Sequence, residues 1–412
     1  MIILLAPEKL ITSTSKEQWD ALRDCDITLF TSKSETHIEE LNNQLGDVFN
    51  RVEYFDDYPN NDTVEVRLLD YARKYKVKNI IPMTEADILR VSRVKEKLMM
   101  DGMKYSDAIQ FRDKIAMKEL ATQSNINIPQ FRRIKHTIDL LEFIDEVGYP
   151  IIIKPILGRG SLNTLLISDQ SELIKILNAG LISNTSRYPD LLAEEYLDAT
   201  IYHIDGVQLN NQIEVMSVSR YVNTCLSFVG GSYLGSYTLD FQNPLRNDLI
   251  RFTSHILTKV FPLHKNSLFH VEVFVDKQNK ISLCEVACRI GGNGINDEVR
   301  LQQGIDIKME YIKAECGLSS GYIKLNKQNC HPIAGRLLIP PKEAKLISFP
   351  AVCDKPGVIK YQVRGKHGRD YKKMQMSNDE IANFLLVSGN ENEMCEKITT
   401  LSRWFDENVV WE

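Results

Sequence analysis

Ile151-Ile152-Ile153-Lys154-Pro155-Ile156-Leu157-Gly158-Arg159-Gly160-Ser161-Leu162-Asn163 is the segment on which the fold of this chain turns. Three consecutive isoleucines make a buried strand, and the strand ends in a cation. Gly158 and Gly160 carry no Cβ, so main-chain N–H groups can close on an anion, and the Lys154 ammonium adds a point charge beside them. Thr164-Leu165-Leu166-Ile167 returns as a second strand, giving a hairpin around a glycine turn. The pattern is phosphate-cradling equipment without the Walker-A spacing. On these residues alone, a plain hairpin with one snorkelling lysine is an equally good reading.

Downstream, Leu191 to Leu197 reads as a strand carrying Glu194-Glu195-Tyr196-Leu197 at its end. Glu272 and Glu285 each sit inside an apolar strand, Phe269 to Val275 and Ile281 to Val286, separated by the turn-rich Asp276-Lys277-Gln278-Asn279. An antiparallel hairpin about that turn brings the two carboxylates together. Two buried like charges need a cation, and Mg²⁺ prefers hard oxygen ligands that it shares with phosphates. The competing reading leaves one acid facing solvent on an alternating strand. Arg289 follows four residues after Glu285, and Gly291-Gly292-Asn293-Gly294 follows Arg289. An arginine there can neutralise a phosphoryl group or clamp a carboxylate, while the glycines let main chain approach a small ligand. A loop arginine beside a flexible turn is the plainer alternative.

Upstream, the first ~110 residues alternate strand and helix. The expected strands are Ile2 to Leu5, Asp26 to Phe30, Val52 to Phe55 and Asn79 to Met83. The expected helices are Ser15 to Arg23, His37 to Leu45, Val64 to Lys74 and Asp87 to Met99. That order implies a parallel sheet with right-handed crossovers. The turn after the first strand, Ala6-Pro7-Glu8-Lys9, has no glycine fingerprint, which argues against a dinucleotide site. Further helices are expected at Arg112 to Ser124, Asp139 to Glu146, Ser171 to Ala179, Asn247 to Val260 and Asp306 to Cys316. A last one begins near Asn392 and carries Trp404 and Trp411.

The chain has 412 residues, 55 acids against 50 bases, and a formal net charge of -5. The length calls for two or three packed units. The charge excludes the broad basic field of a nucleic-acid binder, so any bound phosphate must be held by local cations. No apolar run approaches the ~18 residues of a membrane span, and the start lacks a basic leader. Eight scattered cysteines form neither a disulfide framework nor a zinc pattern. The expectation is a cytoplasmic protein without nucleic-acid or membrane partners.

Taken in order, Arg112-Asp113-Lys114, Lys154, Gly158 to Ser161, Glu194 to Leu197, Glu272 and Glu285-x3-Arg289-x-Gly291-Gly292 resemble the ATP-grasp superfamily. Within it the chain resembles the carboxylate–amine ligases, particularly bacterial L-amino acid (dipeptide) ligases. Pro82-Met83-Thr84-Glu85 puts an acid where such ligases carry one, and Ala287 stands where many members have a further metal-ligating Asn. The resemblance implies an α/β fold, α+β overall. Its parts are an N-terminal Rossmann-like parallel sheet (1–110), a central small or lid domain (111–193) and a larger mixed-sheet C-terminal domain with a biotin-carboxylase-like tail (194–412).

The resemblance also implies roles. Lys114 and Lys154 contact ATP phosphates, and Gly158, Gly160 and Ser161 close over them. Glu194, Glu195, Tyr196 and Leu197 meet adenine. Glu272 and Glu285 hold Mg²⁺, two ions, with Mn²⁺ as an alternative. Arg289 and Lys154 are the catalytic cations, Arg289 steadying an acyl phosphate. Glu85, Tyr233, Tyr237, Arg289 and Gly292 face the amino-acid substrates, Glu85 through an amino group. Ile201 replaces a common ribose-binding acid, with His203 or Asp205 as substitutes, and Asn163 replaces a third loop glycine. Relatives are commonly homodimers. The implied reaction is ATP-dependent formation of an amide, a dipeptide bond, through an acyl phosphate. A ligase of a non-amino-acid carboxylate and a catalytically silent ATP-binding regulator stay open.

Overall fold

The computed structural model describes residues 1–33, 45–184, 190–318, 331–372, 374 and 379–412. Four short apolar runs become β1 (Ile2–Leu5), β2 (Ile27–Ser32), β3 (Phe49–Phe55) and β4 (Asn79–Pro82). They pair in the order β3-β2-β1-β4, all parallel, as the strand–helix alternation requires. Successive residues of β1 serve opposite faces. Ile3 and Leu5 enter a core with Leu68, Tyr71, Val91 and Val94 from the helices Thr63–Lys74 and Glu85–Lys97. Ile2 and Leu4 enter another with Ile295, Val299 and Ile307, which docks this sheet on the segment after Arg289. The helix expected from His37 to Leu45 lies outside the described residues, except for Leu45 at its end. The turn after β1 runs into a short helix, Glu8–Thr12.

A second sheet contains β5 (Phe131–Ile134), β6 (Ile151–Pro155), β7 (Leu165–Ile167) and β8 (Leu191–Glu195) in the order β5-β8-β6-β7, all antiparallel. Ile151 pairs with Ile167 and Ile153 with Leu165, so the expected hairpin forms. Ile151 and Ile153 are fully buried beneath the helices Thr137–Val147 and Gln170–Asn178, and Lys154 falls on the other face.

The third sheet contains β9 (Thr200–Leu209), β10 (Gln212–Tyr221), β11 (Leu234–Thr238), β12 (Ser267–Val275), β13 (Ile281–Ala287) and β14 (Ile333–Ile339). A small sheet adds β15 (Lys345–Ser348), β17 (Arg369–Asp370) and β19 (Val410–Trp411), while β16 (Val358–Val363) and β18 (Ala382–Ser388) extend the large one. The large sheet runs β13-β12-β9-β10-β11-β14-β18-β16, and every pairing in it is antiparallel. The expected mixed sheet is thereby corrected: parallel and antiparallel pairing are segregated into different sheets. Helices Pro244–His255 and Glu391–Asn408 cover one face. Trp404 lies on the final helix, but Trp411 belongs to β19, because the helix stops at Asn408 and Val409 is already extended. Helix Ile295–Gln303 was hidden in the sequence by the glycine run before it. Its Ile295 and Val299 stand four residues apart and share one buried face. Among the described residues no helix is long and apolar enough to cross a membrane.

Candidate active site

Asp113 begins the arrangement. Its Oδ1 caps helix Lys114–Gln123 by accepting from the N–H groups of Ile115 (2.8 Å) and Ala116 (3.0 Å). The cap fixes Lys114 at the first helical position, pointing at the glycine turn. Lys114 Nζ donates to the Gly158 carbonyl (2.9 Å) and to Glu285 Oε1 (3.1 Å). One turn further on, Lys118 is buried and pairs with Glu194. Lys154 Nζ pairs with the other Glu194 oxygen at 2.6 Å. Burial works against ionising Glu194, yet the two ammonium groups hold its carboxyl down at about 2. Burial likewise opposes charge on Lys154, and Glu194 outweighs it, raising the lysine above its ordinary value.

A cavity of about 170 Å³ opens between the second and third sheets. Lys114, Lys154, Gly158, Gly160, Ser161, Glu194, Glu195, Tyr196, Leu197, Glu272 and Glu285 all line it, so every residue expected to serve a nucleotide or its metal is brought together. Gly160, Ser161 and Asn163 take positive φ (56°, 57° and 56°), which accounts for a glycine at the first and suits an asparagine at the last. Ile201 lines the same cavity. His203 and Asp205 do not replace the missing acid there. Both are buried within the large sheet and bonded to each other (2.6 Å).

Glu272 and Glu285 are register partners across the β12–β13 hairpin, with a bulge after Glu272. Their side chains are 21% and 24% exposed, and both line the cavity. Glu272 accepts from Tyr221 Oη (3.1 Å) and lies 3.4 Å from His270 Nε2. Burial opposes its ionisation, but the hydrogen bond and charge of His270 hold it at about 2. His270 in turn is braced by Asp205 through Nδ1 (2.8 Å) and, against its burial, is raised to about 9. Two adjacent carboxylates fit a hard divalent cation, whereas the buried Ala287 adds no third side-chain oxygen.

A second cavity of about 770 Å³ lies between the parallel sheet and the large sheet. It shares Arg159, Gly160, Ser161, Glu272 and Glu285 with the first, so the two spaces meet at the glycine loop and the acid pair. Glu85, Arg289 and Gly292 line it. Glu85 is clasped by Arg112 (2.7 Å) on one oxygen and by Arg289 on the other. Burial pushes this carboxyl up, and the two guanidinium groups overcome it, leaving it at about 2. Arg289 is thereby held at the mouth of the acid pair. Tyr233 and Tyr237 are not brought to either cavity. Tyr237 is buried in the core under the large sheet, 3.4 Å from Arg220, and Tyr233 reaches toward Thr399. Sequence reasoning missed Lys118, Tyr221, His270 and Arg336. Arg336, buried on β14, donates to the carbonyls of Gly292 (2.9 Å) and Asn293 (2.8 Å) and fixes the glycine run. The periodicities Lys114/Lys118 and His270/Glu272, one helical turn and one strand repeat, were signals for two of them.

Residues 113–208 match the family model described as carbamoyl-phosphate synthase L chain, ATP binding domain. An L-arginine-specific L-amino acid ligase of Bacillus subtilis is 22% identical over 324 residues, 77% of this chain and 76% of that protein. The crystal structure of an L-amino acid ligase from Bacillus licheniformis superposes with a TM-score of 0.75 at 15% identity, covering 100% of this chain and 98% of that one. The biotin carboxylase domain dimer of 2-oxoglutarate carboxylase from Hydrogenobacter thermophilus, in complex with MgADP, ADP and bicarbonate, superposes with a TM-score of 0.68 at 13% identity. It covers 100% of this chain and 90% of that chain.

Proposed function

We propose that this chain, which has the ATP-grasp fold of its ligase relatives, joins the carboxylate of one amino acid to the amine of another at the expense of ATP. The observation that carries the reading is the meeting of two cavities at Glu272, Glu285 and the Gly158–Ser161 loop. One cavity has the cations and glycines for a nucleotide. The other has an arginine and a pocket large enough for two small substrates.

In this reading a substrate carboxylate oxygen attacks the γ-phosphorus of ATP. An O–P bond forms, the bond from the β-phosphate oxygen to the γ-phosphorus breaks, and ADP leaves. Lys114 and Lys154 offset the charge carried by the phosphates, because phosphoryl transfer depends on positioning and electrostatics more than on covalent help. Glu272 and Glu285 would hold Mg²⁺, which when bound supplies charge neutralisation between the phosphates. Arg289, aimed by Glu85, sits where the acyl phosphate would lie. The incoming neutral amine attacks the acyl carbon, the C–O bond to phosphorus breaks, and the nitrogen's proton leaves with the departing inorganic phosphate, so that an amide is formed. The Gly158–Ser161 loop, lying between the cavities, keeps water from the acyl phosphate. A cytoplasmic setting agrees with Cys25, Cys284, Cys288, Cys316, Cys353 and Cys395, each of which is a free thiol.

The test is ADP release by the purified chain with Mg²⁺, ATP and pairs of amino acids, with mass detection of the product. Release that requires amino acids, with a dipeptide as product, is expected. ATP binding without turnover across a broad panel would favour a silent nucleotide-binding protein, the reading that Ala287 and Ile201 motivate.

A further inference from the structure

Lys114, Lys154 and Arg159 are the cations that line the smaller cavity among the described residues. Two of them are already paired, Lys114 with Glu285 at 3.1 Å and Lys154 with Glu194 at 2.6 Å. Arg289, in the larger cavity, is likewise paired with Glu85 and donates to the Ile290 carbonyl (2.8 Å). Arg159 differs. It is half-buried in the glycine loop, and among the described residues its guanidinium makes no hydrogen bond and no ion pair. The reaction above does not use it.

The main chain around Arg159 is nevertheless pinned on both sides. Gly158 N–H donates to the Pro155 carbonyl (3.0 Å), Arg112 Nη2 to the Leu157 carbonyl (3.0 Å) and Lys114 Nζ to the Gly158 carbonyl (2.9 Å). Beyond it, Leu162 N–H donates to the Arg159 carbonyl (3.1 Å) and Thr164 N–H to the Ser161 carbonyl (3.1 Å). The loop therefore holds the backbone of Arg159 in place and leaves its guanidinium donors over. The charges that face this guanidinium are Arg112, Glu85, Asp87 and Arg90. Both acids are engaged elsewhere. Glu85 is clasped by Arg112 and Arg289, and Asp87 accepts from Tyr58 Oη (2.9 Å) and Thr84 Oγ1 (2.7 Å), with Arg90 at 3.6 Å. Burial and the Arg112 charge pull the Arg159 guanidinium below its ordinary value, and the two acids do not make up the difference. A cation so placed is best satisfied by an anionic ligand that brings its own acceptors.

Arg159 lines the larger cavity as well, so it stands where the two cavities meet. In the ligase reading one group crosses that junction: the γ-phosphoryl, which leaves the nucleotide and arrives on the substrate carboxylate. A guanidinium presents a planar fork of N–H donors that matches two oxygens of such a group. We propose that Arg159 is a further catalytic residue, which holds the transferring phosphoryl group by donating to its oxygens from ATP through to the acyl phosphate. The catalytic role rests on the ligase reading. The contact with the γ-phosphate is a binding property and is tested as one.

Titration calorimetry on the full chain with Mg²⁺ compares ADP with the β,γ-imido analogue of ATP, in wild type, Arg159→Gln and Arg159→Lys. Arg159→Gln should bind the analogue about tenfold more weakly and ADP within about twofold of wild type, since only the analogue carries a γ-phosphate. Arg159→Lys should fall between, because the ammonium keeps the charge and loses the fork. In ADP release with amino acids, kcat of Arg159→Gln should fall about 100-fold or more, as charge stabilisation of the transferring group is lost. Both variants should melt within a few degrees of wild type, and Arg159→Lys carries the same comparison if Arg159→Gln does not fold. Equal losses of affinity for ADP and the analogue, or no loss for either, would overturn the contact. A selective loss for the analogue, in a protein that releases no ADP with any amino acid, would keep the contact and sink the ligase reading. Amino-acid-dependent ADP release that survives Arg159→Gln unchanged would do the reverse.

Discussion

Glu272 and Glu285 stand opposite one another on β12 and β13, and each is held from a different side. Tyr221 and His270 fix Glu272 from within the large sheet, while Lys114 reaches Glu285 from the first turn of its helix. Neither contact spans the two acids, so the space between them is left for a cation. Glu272→Gln and Glu285→Gln should each lower ATP turnover at least about 100-fold, since charge stabilisation of the transferring group is lost. Thermal midpoints should stay within a few degrees of wild type, because both side chains are only partly buried. Turnover near wild type in either variant, measured by ADP release, would show that the acid pair does not hold the metal.

Glu194 should behave in the opposite way. It lies 3% exposed between Lys118 and Lys154, so Glu194→Gln leaves two buried ammonium groups without a counter-charge. Breaking a buried ion pair by removing one partner costs about 3–5 kcal/mol. Denaturant titration should therefore show a large loss of stability in Glu194→Gln. Lys154→Met leaves Glu194 paired with Lys118. It should fold with a smaller loss and weaken ATP binding roughly tenfold or more, as a charged hydrogen bond to phosphate disappears. Unaltered ATP affinity in Lys154→Met would mean that the lysine serves Glu194 alone.

The contrast between these two predictions marks what could be read from the chain. The residues lining the smaller cavity are legible because each sits in a local pattern: a strand ending in a cation, a glycine turn, an acid within an apolar strand. The buried counter-ions are not, because they are set by tertiary pairing. Arg112 meets Glu85 across 27 residues, and Lys118 meets Glu194 across a whole sheet's worth of chain. In the sequence Glu85 reads as an acid that pairs with a substrate amino group, whereas both its oxygens are taken by arginines. Tyr233 and Tyr237 were misplaced for a related reason. A tyrosine beside a glycine-rich run looks the same in sequence whether the fold turns it to the cavity or to the core, and for Tyr237 the register of β11 decides.

Glycines 291 and 292 offer a third test. A Cβ on Gly291 would lie 2.5 Å from Asp205 Oδ1 and 2.6 Å from Ile295, whereas a Cβ on Gly292 meets nothing within 4 Å. Gly291→Ala should push the loop off Asp205, loosen the Asp205–His270 brace and lower stability by roughly 1–3 kcal/mol. Gly292→Ala should keep wild-type stability and act only on the cavity it lines, raising KM for the carboxylate substrate more than for ATP. Equal stability of the two variants would contradict the close packing at Gly291.

His270 should give the stability of the chain a pH dependence of definite sign. Its folded pKa is raised from 6.5 to about 9, because Asp205 and Glu272 together outweigh the burial that would lower it. A raised basic group binds its proton more tightly in the folded state. The stabilisation is therefore complete below about pH 6.5 and drains away as pH climbs through about 9, amounting to a few kcal/mol at most. The measurement belongs in metal-free protein with chelator present, so that Glu272 faces His270 alone. Urea unfolding at intervals from pH 6 to 9.5 should show falling stability in the wild type. The His270→Gln variant should be less stable at pH 6 and flatter across the range, converging with wild type at the alkaline end. Parallel curves for the two proteins would place the titrating group elsewhere and leave His270 as a neutral hydrogen-bonding partner of Asp205.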